Sequence, residues 1–296
     1  MFNFRLQVFY SVATNLSFTK AAKELHITQP AVTSNIKELE TSLGISLFER
    51  EPNRISLTLA GKVLLKYTAN AMEEYKKMEY EIGLLRNSFS GKIKIGASTT
   101  IEQYILPPVL VQFNSQYPDI EILVYNSNTM NVEKSVASHD IDLGIIEGNA
   151  GQKEFKYIPF MKDEIVAIAH TSQPVSKKWQ ISLDELKKTP VVLREIGSGT
   201  LDVIIGELQK HKIKLKDLTI KMHLGSTESI KNFLGNADCI GFVSAHAVSR
   251  EIARGDFQII DIEGLDITRT FNFIYLQGQR SGLTNKFIEF CLHGMD

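Results

Sequence analysis

The stretch SFTKAAKELHITQPAVTSNIKELE, residues 17–40, predicts two short helices separated by a compact break. Ser17 is a favourable N-cap for the first helix, and Thr28 is one for the second. Pro30 is tolerated in the first turn of the second helix, which Gly44 ends. We therefore predict a pair of packed helices joined by a tight turn.

The second helix of this pair has an apolar side and a polar side. Apolar residues at helical spacing predict a core face: Val32, Ile36, Leu39 and Leu43. The other side carries short polar groups and one lysine: Gln29, Pro30, Thr33, Ser34 and Lys37. Such groups can reach base edges and phosphates in the major groove of DNA, although an ordinary helical hairpin with a solvated face has the same composition.

A two-stranded hairpin is predicted directly after the helix pair. The apolar stretches 45–48 and 55–57 flank the polar segment REPNR. Arg50 and Arg54 bracket this turn, as expected of a wing that contacts DNA phosphates or the minor groove, whereas an exposed charged turn would explain either arginine alone. The hairpin favours the DNA-binding interpretation of the helix pair.

A long helix from Thr58 to about Asn87 is predicted next. Its apolar residues are spaced 3-4-4-3-4-3, like the seam of a coiled coil: Leu64, Tyr67, Ala71, Tyr75, Met78, Ile82 and Leu85. A long solvated helix needs a partner for such a stripe, so we predict dimerisation through this helix.

After the linker-like segment SFSGK (88–92), short β patterns alternate with helical ones. The β patterns are KIKIGAS, EILVY, IDLGII, EIVAIAH, PVVLRE, KMHLG, CIGFVS, FQIIDI and RTFNFIYL. Alternation of this kind predicts mostly parallel sheets. The length of this part suits two α/β lobes.

Several motifs together resemble the N-terminal signature of LysR-type transcriptional regulators. They are SFTKAA at 17–22, TQPAVT at 28–33, LF at 47–48 and AG at 60–61. The resemblance implies an α+β multidomain fold: an N-terminal winged helix-turn-helix and a linker helix, then two α/β subdomains like those of periplasmic binding proteins. It also implies double-stranded DNA as a partner, a homodimer through the linker helix, and commonly a homotetramer.

On this resemblance we expect a DNA-binding domain over 1–58, a linker helix over 59–87 and an effector-binding domain over 88–296. Within the last, subdomain I is expected at about 92–163 and 269–296, and subdomain II at about 164–268. The expected DNA-binding residues are Ser17, Thr28, Gln29, Pro30, Thr33, Ser34, Lys37, Arg50 and Arg54. Ser34 departs from the family, whose members often have a basic residue at this position.

Three places in the α/β part could hold a small anion. Each is a strand end followed by a helix start with hydroxyl side chains, where free N–H groups bind anions. The candidate effector-binding residues are Ser98, Thr99, Thr100, Glu147, Arg194, Ser198, Gly199, Thr200, Ser226 and Thr227, and Ser244 could line the same cleft. Plain N-caps explain each hydroxyl cluster taken singly, and a salt bridge between Glu147 and Arg194 would explain the two charges.

The run REIGSGT, residues 194–200, resembles segments in regulators of sulfur assimilation and carbon fixation. This likeness suggests an inorganic or small organic oxyanion as the effector.

Other classes of function find less support in the sequence. The chain has 33 Lys+Arg against 34 Asp+Glu, two cysteines far apart and no His pair at ligand spacing, so neither a global basic field nor a metal site is expected. Residues 1–66 hold eight Lys/Arg and five Glu, a net charge of +3, which suits an N-terminal module that meets phosphate.

We expect no cofactor, no catalytic residues and no membrane contact, and a cytoplasmic protein of the bacterial cytosol or nucleoid. The rival interpretations are a small-molecule or solute-binding protein without a DNA-regulatory role, and a metabolic enzyme that uses the cleft.

Overall fold

The computed structural model describes residues 2–51, 54–86, 89–148, 151–277 and 282–293. The chain forms two compact units, Met1–Ser88 and Phe89–Asp296. The first unit is mainly helical, and the second is built around one large sheet.

The first unit contains the predicted helix pair. Its elements are α1 (Phe4–Asn15), α2 (Phe18–Glu24), α3 (Gln29–Leu43), β1 (Phe48–Glu51), β2 (Arg54–Leu57) and α4 (Leu59–Arg86). Ser17 and Thr28 cap α2 and α3 as predicted, since their hydroxyls accept from the N–H groups of Lys20 and Ala31. Val32, Ile36 and Leu39 are buried in the core of this unit, but Leu43 is exposed and its predicted place in the core was wrong.

The hairpin begins later than predicted. Strand β1 pairs antiparallel with β2, with Phe48 opposite Leu57, so Arg50 and Arg54 belong to strands and not to the turn. The physical reason lies in α3: one carboxylate oxygen of Glu40 accepts the N–H groups of Leu47 (2.7 Å) and Phe48 (3.3 Å). This ties the preceding residues to the helix and leaves the strand to start at Phe48.

Helix α4 has the predicted apolar stripe, and much of the stripe is uncovered. The side chains of Tyr67, Ala71, Met78 and Ile82 are exposed, those of Leu64 and Tyr75 are half-buried, and that of Leu85 lies outside the described residues. The most exposed of the three large side chains among them is that of Tyr67, at 64%. No described part of the first unit packs over these exposed side chains, as expected for a surface that pairs with another chain.

The second unit alternates strands and helices. Its strands are β3 (Gly91–Ser98), β4 (Ile120–Ser127), β5 (Leu143–Glu147), β6 (Phe155–His170), β7 (Gln180–Ile181), β8 (Pro190–Arg194), β9 (Thr219–Leu224), β10 (Ile240–Ser244), β11 (Phe257–Ile259), β12 (Asp261–Ile262) and β13 (Ile267–Leu276). Its helices are α5 (Leu106–Gln116), α6 (Thr129–Ala137), α7 (Leu183–Lys188), α8 (Gly199–Lys210), α9 (Thr227–Leu234), α10 (Ala245–Arg254) and α11 (Gly282–His293).

The main sheet has the strand order β4-β3-β5-β13-β6-β10-β8-β9, and β11 also pairs with β6. The three strands at each end of this order are parallel to one another, as predicted. The two central strands, β6 and β13, run antiparallel to each other and to their outer neighbours. The prediction of mostly parallel sheets missed this pair, which carries the chain between the two halves.

Two separate sets of cores define two lobes. Lobe I holds clusters that include Ile95, Phe113 and Phe273, and lobe II holds clusters that include Ile204, Phe242 and Val192. Strands β6 and β13 contribute to the cores of both lobes. The lobes are therefore joined by two adjacent, paired strands.

Residues 101–116 form two helical segments and not one continuous helix. Ile101–Ile105 forms a π-helical turn, and α5 follows from Leu106. Pro107 and Pro108 have no N–H to donate, so the regular ladder of hydrogen bonds cannot run through this point.

Two helical glycines give a matched test of packing in the two units. A Cβ on Gly61 would lie 2.2 Å from the backbone oxygen of Leu47, whereas one on Gly206 would meet open space. We expect Gly61→Ala to lower the free energy of unfolding by about 1–3 kcal/mol through overpacking. Gly206→Ala should raise it by about 0.5–1 kcal/mol through helix propensity. Calorimetry of both variants would measure this, and stabilisation by Gly61→Ala would contradict the close approach of hairpin and helix.

Candidate functional site

The strands that join the lobes bring opposite charges together where they pass from one lobe to the other. Arg269 on β13 lies directly opposite Asp163 on β6 in the register of the sheet. Glu147 at the end of β5 pairs with Phe271, and Ser244 at the end of β10 pairs with Ile165. The ends of one strand from each lobe thus meet at the Asp163–Arg269 pair.

Arg269 is the centre of a fully buried polar cluster. Its Nε donates to Asp163 Oδ2 at 2.6 Å, and its Nη1 donates to Glu147 and to Thr200 Oγ1, the latter at 2.8 Å. The Thr200 hydroxyl in turn donates to Glu147 Oε2 at 2.6 Å. Because Thr200 starts α8 in lobe II and Glu147 ends a strand of lobe I, Arg269 ties both lobes to the joining strands.

Two further hydroxyls complete this cluster. Ser98 donates to Glu147 Oε1 at 3.0 Å, and Ser244 donates to Asp163 Oδ1 at 2.7 Å. Burial by itself would raise the pKa of Glu147, but the Arg269 guanidinium and the hydrogen bond from Thr200 outweigh it and lower the pKa to about 2. Glu147 is therefore a charged partner of Arg269 at all ordinary pH values.

The cluster revises the predicted roles of several residues. The sequence allowed a salt bridge between Glu147 and Arg194, but in the structure the ion-pair partner of Glu147 is Arg269. The sequence analysis missed both Arg269 and its second partner, Asp163. Ser98, Glu147 and Thr200 bind one another around Arg269. Their polar atoms are engaged within the protein and organise the floor of the cleft.

Arg194, at the end of β8, is the second buried arginine and its side chain is 2% exposed. Its Nη2 donates to Thr99 Oγ1 in lobe I at 3.4 Å and to the Gly225 carbonyl in lobe II at 3.3 Å. Its Nε and Nη2 also bind the carboxylate of the next residue, Glu195, at 2.8 and 3.1 Å. Among the described residues, no acceptor reaches the buried Nη1.

Helix α8 approaches lobe I closely at its N-terminus. A Cβ on Gly199 would lie 2.4 Å from the Glu147 carbonyl oxygen, so only glycine fits there. Met130, in the first turn of α6, donates its N–H to the Gly197 carbonyl at 3.1 Å. The lobes are thus in contact beside Arg194, and Ser198 is buried at this contact.

The other two predicted helix starts differ from each other. Thr99 and Thr100 are buried in lobe I, where Thr99 also contacts Asn126 Oδ1 at 3.3 Å. On α9, Thr227 is buried, whereas the Ser226 hydroxyl accepts the N–H of Ser229 as a helix cap. Ser226 therefore acts as a helix cap, which the sequence analysis gave as the alternative to effector binding.

A second polar contact crosses between the lobes at Tyr104. Its hydroxyl donates to Glu228 on α9, and Lys231 lies 5.1 Å from the centre of its ring. Burial and the neighbouring Glu228 carboxylate raise the pKa of Tyr104, which stays protonated. Lys231 is buried between Glu228 and Glu251 and completes this bridge.

The polar side of α3 is accessible in the first unit. Gln29, Pro30, Ser34 and Lys37 are exposed and Thr33 is half-buried, opposite the buried Val32 and Ile36. Ser34 donates to Glu38 at 3.2 Å, and Glu38 pairs with Arg5 at 2.7 Å. The backbones of Arg50 and Arg54 are described in the hairpin, but their side chains lie outside the described residues, so the predicted phosphate contacts stay predictions.

Metal sites and membrane-spanning helices are two further features that bear on function. Over the described ranges, His, Cys, Asp and Glu side chains form no group that could hold a metal ion. Within the same ranges, no helix is long and apolar enough to cross a membrane.

The sequence matches two family models. Residues 4–62 match the bacterial regulatory helix-turn-helix protein, lysR family, and residues 86–296 match the LysR substrate binding domain. A probable RuBisCO transcriptional regulator of Trieres chinensis is 33% identical over 275 residues, 91% of this chain and 89% of that protein. The HTH-type transcriptional regulator CysL of Bacillus subtilis (strain 168) is 31% identical over 271 residues, with the same two coverages of 91% and 89%.

A solved structure of the CcmR regulatory domain of Synechocystis PCC6803, in complex with 2-PG, resembles the second unit. The TM-score is 0.63 and the sequence identity 26%, covering 70% of this chain and 98% of that one.

Loss of the central arginine should destabilise the second unit strongly. Arg269→Met would leave Glu147 and Asp163 buried without their cation, and we expect the free energy of unfolding to fall by about 3–5 kcal/mol. Lys210→Met is the matched control, because it removes a cation from an exposed pair with Glu207 (2.6 Å) and should change stability by less than about 1 kcal/mol. Urea unfolding followed by circular dichroism would compare them; equal small losses would show that the buried cluster does not hold the lobes.

Proposed function

The chain belongs to the LysR family of bacterial transcriptional regulators, and we propose that it binds its operator through α3 under the control of a small oxyanion held between the lobes of the second unit. Binding of DNA and regulation of transcription follow from membership of this family. The residues, the effector and the assembly below are our proposals.

The exposed side of α3 is the observation that carries the DNA-binding proposal. Gln29 and Thr33 offer donors and acceptors to base edges, and Lys37 offers a cation to phosphate. Ser17 and Thr28 sit at the starts of α2 and α3, where helix N-termini favour phosphate contacts. Arg50 and Arg54 on the hairpin would add phosphate or minor-groove contacts.

The uncovered stripe of α4 supports a homodimer. Exposed Tyr67, Met78 and Ile82 at coiled-coil spacing would be covered by the same stripe of a second chain. Two α3 helices would then read two half-sites of one operator. A homotetramer built from two such dimers is the further expectation for this chain.

Arg194 supports the proposed class of effector. A buried guanidinium with an unused donor is suited to the paired oxygens of a carboxylate, sulfate or phosphate. Thr99 accepts a hydrogen bond from Arg194, and we propose that the buried hydroxyls of Thr100, Ser198 and Thr227 line the same region. The likeness to CcmR, solved with 2-PG, agrees with a small oxyanion.

Regulation requires two arrangements of the lobes with different affinities for the effector. We propose the lobes as the two subdomains, 92–163 with 269–296 and 164–268, beside a DNA-binding domain over 1–58 and a linker helix over 59–87. Separate hydrophobic cores in the two lobes support this division. We also propose that the protein acts in the bacterial cytoplasm and catalyses no reaction, as expected of a regulator of this family.

The DNA-binding proposal can be tested by replacing three α3 side chains. In Gln29→Ala/Thr33→Ala/Lys37→Ala, sequence-specific binding should be lost because each good base contact is worth about 1–3 kcal/mol, while oligomer size should stay unchanged. Lys216→Ala removes an exposed cation from the second unit and should bind like wild type. Fluorescence anisotropy with the operator and a scrambled duplex would measure both; unchanged operator affinity of the triple variant would refute the role of α3.

The effector proposal can be tested on a buried threonine of the cleft. We expect sulfate or inorganic phosphate to raise the melting temperature of the wild-type protein, since a ligand of the native state stabilises it. Thr100→Val should weaken that binding about tenfold or more, because a hydrogen bond to a charged group contributes about 1.5–3 kcal/mol. Thr68→Val, at a buried threonine of the first unit, is the control. An unchanged shift in Thr100→Val would exclude this hydroxyl from the site.

A further inference from the structure

Two buried arginines lie at the junction of the lobes, and both are already paired with carboxylates. Arg269 is bound to Glu147 and Asp163, and Arg194 is bound to Glu195. Two cations against three carboxylates give these five groups a net charge of −1. An added anion would meet a region that is negative overall, and binding there is unfavourable unless a carboxylate leaves.

Glu195 is the carboxylate that can leave. Glu147 and Asp163 are buried and held by hydroxyls as well as by Arg269, whereas the Glu195 side chain is 27% exposed. Its only side-chain hydrogen bonds within the described residues are those to Arg194. Rotation of this side chain into water would release the guanidinium and make the net charge of the four remaining groups zero.

The backbone around Glu195 would not need to move. Its N–H donates to the Leu224 carbonyl at 3.2 Å, and its carbonyl accepts the N–H of Ser198 at 3.1 Å. The next residue, Ile196, is 82% exposed and leaves space on the solvent side. The exchange therefore needs only side-chain torsions.

The geometry of the pair is that of a bound ligand. Nε and Nη2 of Arg194 each hold one oxygen of Glu195, at 2.8 and 3.1 Å, which is the two-bond arrangement that guanidinium forms with carboxylate and phosphate. We propose that Glu195 is a built-in competitor that occupies the anion position on Arg194, and that the effector binds by displacing it.

This inference rests on the proposed oxyanion effector and adds a threshold of affinity that any anion must exceed to bind Arg194. A monoanion such as acetate offers Arg194 no more charge than Glu195 already does. A dianion such as sulfate or hydrogen phosphate offers twice the charge, and it can also engage the unused Nη1. Displacing Glu195 lowers the apparent affinity of every anion by the same factor, so a monoanion, which Arg194 attracts less strongly, falls below detectable binding first.

The test compares sulfate and acetate binding to the full-length protein by isothermal titration calorimetry at constant ionic strength. If Glu195 occupies the guanidinium about nine-tenths of the time, Glu195→Gln should bind sulfate about tenfold more tightly than wild type. Acetate should gain by the same factor, because displacement of Glu195 lowers the apparent affinity of every anion equally. Glu121→Gln, which removes an exposed carboxylate paired with Lys92 in lobe I, should leave both affinities unchanged.

A second variant guards against loss of structure. Glu195→Asp keeps the charge but shortens the side chain by one methylene, so it should bind sulfate with an affinity between those of wild type and Glu195→Gln. Melting temperatures without ligand would show that all variants are folded.

Three results would overturn the inference, each in a different way. If wild type and Glu195→Gln bind sulfate equally, competition is wrong while the oxyanion effector stands. Equal tightening in Glu195→Gln and Glu121→Gln would reveal a general charge effect and no competition. If neither sulfate nor phosphate binds to wild type or to Glu195→Gln, the proposed effector class itself is wrong.

Discussion

The second unit depends on one buried arginine at the point where its two lobes meet. Arg269 lies opposite Asp163 in the sheet and also binds Glu147 from lobe I and Thr200 from lobe II. Removing charged groups from water is unfavourable by several kcal/mol for each ion, so these partners are stable only while they remain together. The joining strands β6 and β13 are therefore fixed to each other at the place where a hinge would otherwise bend freely.

This constraint separates the structural charges from the responsive ones. In the cluster around Arg269 both carboxylates are fully buried and held by several donors, and the one group without an acceptor among the described residues is the arginine's own Nη2. Arg194 nearby spans the cleft from Thr99 to Gly225 and keeps a partly exposed partner. A ligand can change the contacts of Arg194 without breaking those of Arg269. Motion of the lobes would thus be limited to arrangements that preserve the central cluster.

The sequence predicted the features that depend on neighbours along the chain. The caps at Ser17 and Thr28 and the buried face of α3 follow from local patterns, and so do most strand positions. Arg269 was missed because its partner Glu147 lies 122 residues away and its own segment reads as an ordinary strand. The later start of β1 depends on Glu40, another contact between elements. Helix α7 was not predicted, because its six residues are too few to show a helical period. The capping box of Ser182 and Glu185 was its one local signal in the sequence.

In the first unit, too, a contact between distant residues decides which charges are available at the surface. Ser34 on the polar side of α3 donates to Glu38, and Glu38 is neutralised by Arg5. The exposed side of α3 is thus left with Lys37 as its cation near the reading groups. With one cation near its reading groups, α3 by itself makes few phosphate contacts and binds DNA weakly. Specific binding then requires two such helices held together, because the second contact forms at a high effective concentration. The exposed side chains of Tyr67, Met78 and Ile82 on α4 form the surface through which this chain would meet that requirement.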